Sequence, residues 1–321
     1  MKNYKRTGLV DWLSFCWIGG NLMGAVALLF WVGIDGLVSH GDTGFPLNAV
    51  QRFFDGLWAW NPRLDFGVPQ YLAHSTLPFD AFRALPDLVG LSVIHQSQLF
   101  FILTIVGLAV VAERFATIGL KLTSPIARLV TAALLVYNPF NVSQLVGGQG
   151  VQLVQMAALI GATTAFLAYS RTWSHWALGW LLLCSLLIGS VFFPFLRLIL
   201  LGLTLTRPRA DWLRCFSALG LVMIVNALWI IPLVARALST PVIQEIFRAN
   251  SAATVLDASR PFTGLEWVAR LAYGHYPIAT PFSTFLQQPA MRVIGLVPIM
   301  IAGLLVLHLF IDVRRTKSRR L

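Results

Sequence analysis

Residues 129–170 contain no charged side chain, and residues 172–206 contain one, Arg197. A helix needs about 20 residues to cross a hydrocarbon core about 30 Å thick, so each stretch is too long for one crossing. Further apolar runs cover 12–34, 88–112, 215–235 and 293–311. Such a chain folds in lipid, and its composition agrees. Hydrophobic residues make up 57% and charged residues 12%, against about 45–50% and about 25% in soluble domains. A soluble enzyme, a disordered chain and a secreted disulfide scaffold are thereby excluded. The net charge of +11 does not point to nucleic acid, because the basic residues are scattered between apolar runs and form no continuous face. Membrane lipids are the expected partner instead. Cys16, Cys184 and Cys215 all lie within apolar runs and read as small buried hydrophobes.

The run at 12–34 follows Lys2, Lys5 and Arg6, is too long for a signal-peptide core and lacks a small-residue cleavage site. It reads as a retained helix with a cytoplasmic start. The membrane part of the second run is expected from near Ser97. Asn138-Pro139-Phe140-Asn141 and Gly147-Gly148-Gln149-Gly150 divide 129–170 into two helices joined by an outer turn. Within 172–206 the expected corner is Phe192-Phe193-Pro194-Phe195. The result is an all-α polytopic membrane protein, one domain over 1–321 with about eight crossings and both termini in the cytoplasm. This count puts fifteen basic against four acidic residues inside, and nine against nine outside. Reading 172–206 as one helix would carry Arg207, Arg209 and Arg214 outward, so the positive-inside rule favours eight.

Two large outer loops remain, at about 35–96 and about 237–291, and chemistry is expected on that face. The second opens with Val242, Ile243, Ile246 and Phe247, whose spacing predicts a short surface helix. The first carries Asp35, Asp42, Asp55, Asp65, Asp80 and Asp87 against Arg52, Arg63 and Arg83, charges that read as those of a solvated loop. Asp42 is singled out because it follows His40-Gly41 just beyond the first helix, where a carboxylate reaches a substrate arriving along the membrane surface.

Asp42-Thr43 with Phe45-Pro46, then Leu57-Trp58-Ala59-Trp60-Asn61-Pro62, Phe66-Gly67, Tyr71-Leu72 and Leu77-Pro78, together resemble the first outer loop of the cell-wall arabinofuranosyltransferases of the GT-C class. Tyr137-Asn138-Pro139-Phe140 with Gly148-Gln149 is similar to that family's Asn-Pro turn and Gly-Gln. The resemblance covers about 35–170, and Asn61 stands where the family has an aspartate. The eight expected crossings are fewer than GT-C enzymes commonly have, so the chain reads as a short relative or a fragment of a longer one.

The resemblance implies a GT-C-like membrane domain that inverts the anomeric carbon. The sugar moves from a polyprenyl-phosphate donor to an acceptor hydroxyl of a glycan or lipid-linked molecule, without a cofactor, at the outer face of a bacterial or archaeal cell membrane. A single displacement needs a base for the acceptor proton and a cradle for the departing phosphate. Asp42 is the expected base. Arg197 is expected to hold the donor phosphate, because it lies just past the expected corner at Pro194, at the outer end of a short helix, and an isolated ionisable group at membrane depth is functional by default; Arg63 and His74 are weaker candidates for the same role. Trp58, Trp60, Asn138 and Gln149 are expected at the sugar and acceptor. No metal site is expected, since the sequence has neither a His/Cys cluster nor an Asp-x-Asp motif. Two alternatives stay open: a transporter or flippase of a lipid-linked or small substrate, and a non-catalytic assembly protein.

Overall fold

Backbone polar groups in hydrocarbon must be satisfied within the chain, which leaves helices as the natural solution for apolar runs. The computed structural model describes residues 7–32, 48–57, 60–61, 68–69, 73–138, 141 and 150–239, and these are mostly helical. Helix α1 spans Thr7–Val32, α2 Ala49–Gly56, α3 Ala73–Leu88 and α4 Val93–Arg114, the last continuing as a π-helical turn at Phe115–Gly119. There follow α5 (Pro125–Val136), α6 (Gly150–Thr172), α7 (His175–Leu187), α8 (Gly189–Leu205) and α9 (Arg209–Ser239). Between α2 and α3 a two-residue antiparallel ribbon pairs β1 (Trp60–Asn61) with β2 (Val68–Pro69).

Four segments are long and apolar enough to cross a membrane: Trp12–Phe30, Val93–Gly119, Gly150–Thr172 and Arg209–Ala227. Pro125–Val136, His175–Leu187 and Phe192–Leu205 are apolar but shorter. At about 1.5 Å per residue each of these three falls well short of a core about 30 Å thick. The run at 293–311, the second outer loop and its predicted surface helix lie outside the described residues.

By its internal contacts the chain divides into two units, 1–136 with 147–244, and 137–146 with 245–321. Every helix above belongs to the first. Of the second, Tyr137, Asn138 and Asn141 are described.

In the first unit the helices alternate in direction. Trp17 Nε1 donates to the Ala109 carbonyl at 3.0 Å and Ser14 Oγ to Glu113 Oε1 at 2.8 Å, so the start of α1 lies beside the end of α4. Arg171, at the end of α6, donates from Nη1 to the Ile118 carbonyl and from Nη2 to the Gly119 carbonyl, at 2.6 and 2.8 Å. Helices α4 and α6 therefore end together. Arg207, just past α8, is close enough to Arg171 for their charges to interact, and the Arg214 guanidinium near the start of α9 sits 4.9 Å from the centre of the Trp173 ring. One end of the bundle thus collects Ser14, Glu113, Arg171, Arg207 and Arg214. It is called the basic end below.

The core lies among α6, α7, α8 and α9, where Phe166, Leu181, Leu196, Leu200 and Val222 are fully buried. Small residues let the backbones approach: a Cβ at Gly161 would lie 2.9 Å from Cys184 Sγ on α7. Close packing through small residues drives helix association where both solvent and side chains are apolar.

Two breaks were predicted within the long apolar stretches. The first agrees with the structure, α5 ending at Val136 and α6 starting at Gly150. The second does not. The chain turns at Ile188-Gly189, not at Phe192-Phe193-Pro194-Phe195, and Pro194 lies inside α8. Gly189 has φ +67°, the left-handed region that glycine enters without a Cβ clash, and the Gln155 side chain occupies the space a Cβ would need. Pro194 stands near the helix start, where its missing N–H removes a single bond from the ladder.

Candidate functional site

Helices α2 and α3 lie within residues 35–96, the segment expected as the first outer loop, and they pack on each other around buried charge. Asn48 caps α2 by accepting the Gln51 N–H at 2.7 Å. Asp80, 3% exposed, accepts from Arg52 Nε at 3.2 Å and faces Arg83 Nη1 at 3.9 Å. Arg83 is itself 5% exposed, with its guanidinium 5.5 Å from the centre of the Phe100 ring on α4. Burial holds Arg83 below the usual arginine range, Asp80 opposes that shift and Arg52 adds to it. Asp87 accepts the Val50 N–H at 3.0 Å and Gln96 Nε2 at 3.2 Å, tying α2, α3 and α4 together.

The solvated-loop reading is therefore corrected for Asp80 and Arg83, which are buried, and for Asp87, which bonds to two neighbouring helices. They hold the loop's fold together. The signal was present in the spacing of Asp80, Arg83 and Asp87, which puts all three near one face of a helix.

Arg197 occupies a different setting. Because the corner is at Gly189, Arg197 sits at the midpoint of the 17 residues of α8 and not beside a turn. That is about 12 Å along the helix from its start. Its side chain is exposed, and the guanidinium leans back over Phe193, 5.6 Å from the ring centre and one turn nearer the end opposite the basic one. No ion pair of Arg197 is found among the described residues. Beneath it runs a buried polar track. Phe193 meets Trp229 edge to face at 5.2 Å, Trp229 Nε1 donates to Asn226 Oδ1 at 2.9 Å, and Asn226 Nδ2 donates to Ser185 Oγ at 3.0 Å. Each polar group in this track has a partner, as apolar surroundings demand.

The other expected site residues are distributed as follows. Asp42, Trp58, Arg63 and Gln149 lie outside the described residues. Trp60 stands opposite Pro69 in the ribbon, and His74 falls in the first turn of α3. Asn138 Oδ1 accepts the Asn141 N–H at 2.9 Å, three residues on, the bond by which an asparagine caps a helix start. Among the described residues no group of His, Cys, Asp and Glu is placed to hold a metal ion.

A second polar centre, at the basic end, was not foreseen. Glu113 is 4% exposed and accepts from Ser14 Oγ at 2.8 Å and Thr117 Oγ1 at 2.7 Å, while Arg114 Nε lies 3.7 Å from its other oxygen. Ser14, Glu113, Pro125 and Arg128 line a gap of about 10 Å³, room for about one water. Arg128 donates from Nε to the Leu122 carbonyl at 2.6 Å, and its buried Nη1 has no partner among the described residues. The π-helical turn begins two residues after Glu113 and contains Thr117, four residues on. In the sequence Glu113 is merely one of four acidic residues counted inside, and no local pattern separates it from a solvated one.

No family model matches the chain, and neither a curated protein nor a solved structure does.

Proposed function

We propose that this protein is a polytopic membrane glycosyltransferase of the GT-C kind, inverting a sugar as it passes from a polyprenyl-phosphate donor to an acceptor hydroxyl. The observation that carries the reading is Arg197, a guanidinium on the exposed flank of an apolar helix with no ion pair among the described residues. Charge at that depth is costly, and a lipid phosphate supplies the oxygen pair that a guanidinium fork binds best. Its lean over Phe193 aims the head away from the basic end, and a long stem lets the charge reach towards the headgroups.

In the reaction Asp42 takes the acceptor proton as the acceptor oxygen bonds to the anomeric carbon. The bond to the donor phosphate breaks, and Arg197, with Arg63 and His74, holds the departing polyprenyl phosphate. Trp58, Trp60 and Gln149 are the residues assigned to the sugar and acceptor in this proposal. The topology of eight crossings belongs to the same proposal: the arginines of the basic end favour the cytoplasm, which puts both termini inside and α2–α3 outside.

General-base catalysis typically contributes about 10² to 10⁴ in rate, so Asp42→Asn lowers turnover by about that factor while donor binding persists. Arg197→Lys weakens polyprenyl-phosphate binding, because lysine offers a point charge in place of a planar fork. Equal binding of polyprenyl phosphate by the wild type and Arg197→Ala removes the reading.

A second reading, transport of a lipid-linked substrate, draws on Glu113. A buried carboxylate beside a π-turn is a recurrent mark of function. Flux of such a substrate into liposomes that is no faster with the protein than without it sets this reading aside.

A further inference from the structure

An open groove of about 470 Å³ runs between α4, α6 and α7. Along α6 its floor is made of Gly161, Ala165 and Ala168, small residues spaced so that they stack on one face. From Gly161 to Ala168 the floor covers about 10 Å of helix, about two-thirds of one leaflet of a core about 30 Å thick. The walls are apolar, with one charged residue, Arg114, among those lining it. Trp180, 59% exposed on the second turn of α7, flanks it at the depth where amphipathic rings meet headgroups.

The charge at the mouth is only loosely paired. Glu113 turns towards α1 and α5, where Ser14 and Thr117 occupy one of its oxygens, and its contact to Arg114 is a single long one at 3.7 Å. Arg114 is 59% exposed at its side chain and faces the groove. Arg171 stands beside the same rim, its hydrogen bonds going to neutral carbonyls of Ile118 and Gly119, so its positive charge also remains. A slot with apolar walls, small-residue floor and cationic mouth matches one acyl chain joined to an anionic headgroup.

We infer that this groove holds an anionic phospholipid, one acyl chain lying along Gly161, Ala165 and Ala168 and the phosphate paired with Arg114. The site is at the basic end and does not depend on the proposed transfer reaction. The arginine supplies selectivity between headgroups, and the small residues supply depth.

The test uses the full chain purified in detergent and titrated with phosphatidylglycerol or phosphatidylcholine under native mass spectrometry. One phosphatidylglycerol is retained with at least roughly tenfold preference over phosphatidylcholine, the scale of one charge-assisted hydrogen bond. Arg114→Gln abolishes the preference, and Ala177→Phe, at the groove wall, abolishes retention of both lipids. A second measurement needs no change inside the groove. In a Cys16→Ser protein, Cys184 lines the groove while Cys215 is buried, so a lipid-soluble maleimide reports on Cys184. Phosphatidylglycerol slows that labelling at least roughly tenfold more than phosphatidylcholine does. Equal retention and equal protection by the two lipids, or a preference that survives Arg114→Gln, overturns the assignment.

Discussion

The basic end of the first unit and the α2–α3 hairpin both bury a carboxylate, and they stabilise it by different means. Asp80 lies between two guanidiniums, one of them, Arg83, as buried as itself. Glu113 is held chiefly by two hydroxyls, with a single long contact to an exposed arginine. In the hairpin, charge answers charge within a small packed unit. At the basic end the cations are engaged elsewhere, Arg171 and Arg128 on backbone carbonyls and Arg214 over an indole ring. The difference teaches that a basic surplus at one end of a bundle does not mean ion pairing there. It supplies caps for helix ends and free charge for headgroups.

The contrast is broken most sharply at Asp80. Asp80→Leu leaves the buried Arg83 without its carboxylate, and removing one partner of such a pair costs about 3 to 5 kcal/mol. Thermal unfolding in detergent measures it, and pairing Asp80→Leu with Arg83→Met recovers most of the loss. A melting point unmoved by Asp80→Leu would mean that the hairpin does not depend on its ion pair.

A smaller effect is expected where the backbone, not charge, sets the structure. Gly189→Ala forces a Cβ into the left-handed region at about 1 to 2 kcal/mol and against the Gln155 side chain as well. Repeating the substitution in a Gln155→Ala background keeps the backbone part and removes the collision. If the two backgrounds lose equal stability, the Gln155 contact contributes nothing to the corner.

The smallest change is expected at the basic end. Ser14→Ala deletes one of the two hydroxyl bonds to Glu113 and costs about 1.5 kcal/mol, the lower range for a bond to a charged group. Thr117→Val should match it, because both hydroxyls meet the same oxygen. A loss as large as that for Asp80→Leu would erase the distinction between the two regions.

The places where sequence and structure part company have a common cause. The helices at 7–32, 93–114, 150–172 and 209–239 were legible because a long apolar run leaves a backbone in lipid few alternatives. The separation of the helix ending at Val136 from the one starting at Gly150 was legible too, since Asn-Pro and Gly-Gly-Gln-Gly interrupt helices wherever they stand. The Ile188-Gly189 corner was not. Pro194 gave the louder local signal, and the choice of Gly189 depends on Gln155, 34 positions earlier, filling the space above it. Arg197 was picked out by composition alone, but its depth followed from the corner and so was misplaced with it. Of the expected site, the sequence offered residue types in order, while Asp42, Trp58, Arg63 and Gln149 fall outside the described residues.

What the chain determined by itself is its class: apolar runs of membrane length, short intervening basic segments and a helical backbone, all consequences of composition and spacing along the chain. What only the tertiary structure decided is which polar groups are buried and with whom. In sequence Asp80 and Asp87 differ from the other loop aspartates by their spacing from Arg83 alone, and Glu113 looks like any charge beside a helix end. Their roles come from partners on other helices, Arg52 and Val50 on α2, Ser14 on α1. Desolvation depends on everything that surrounds a group in space, and neighbours in space are not written in the order of residues.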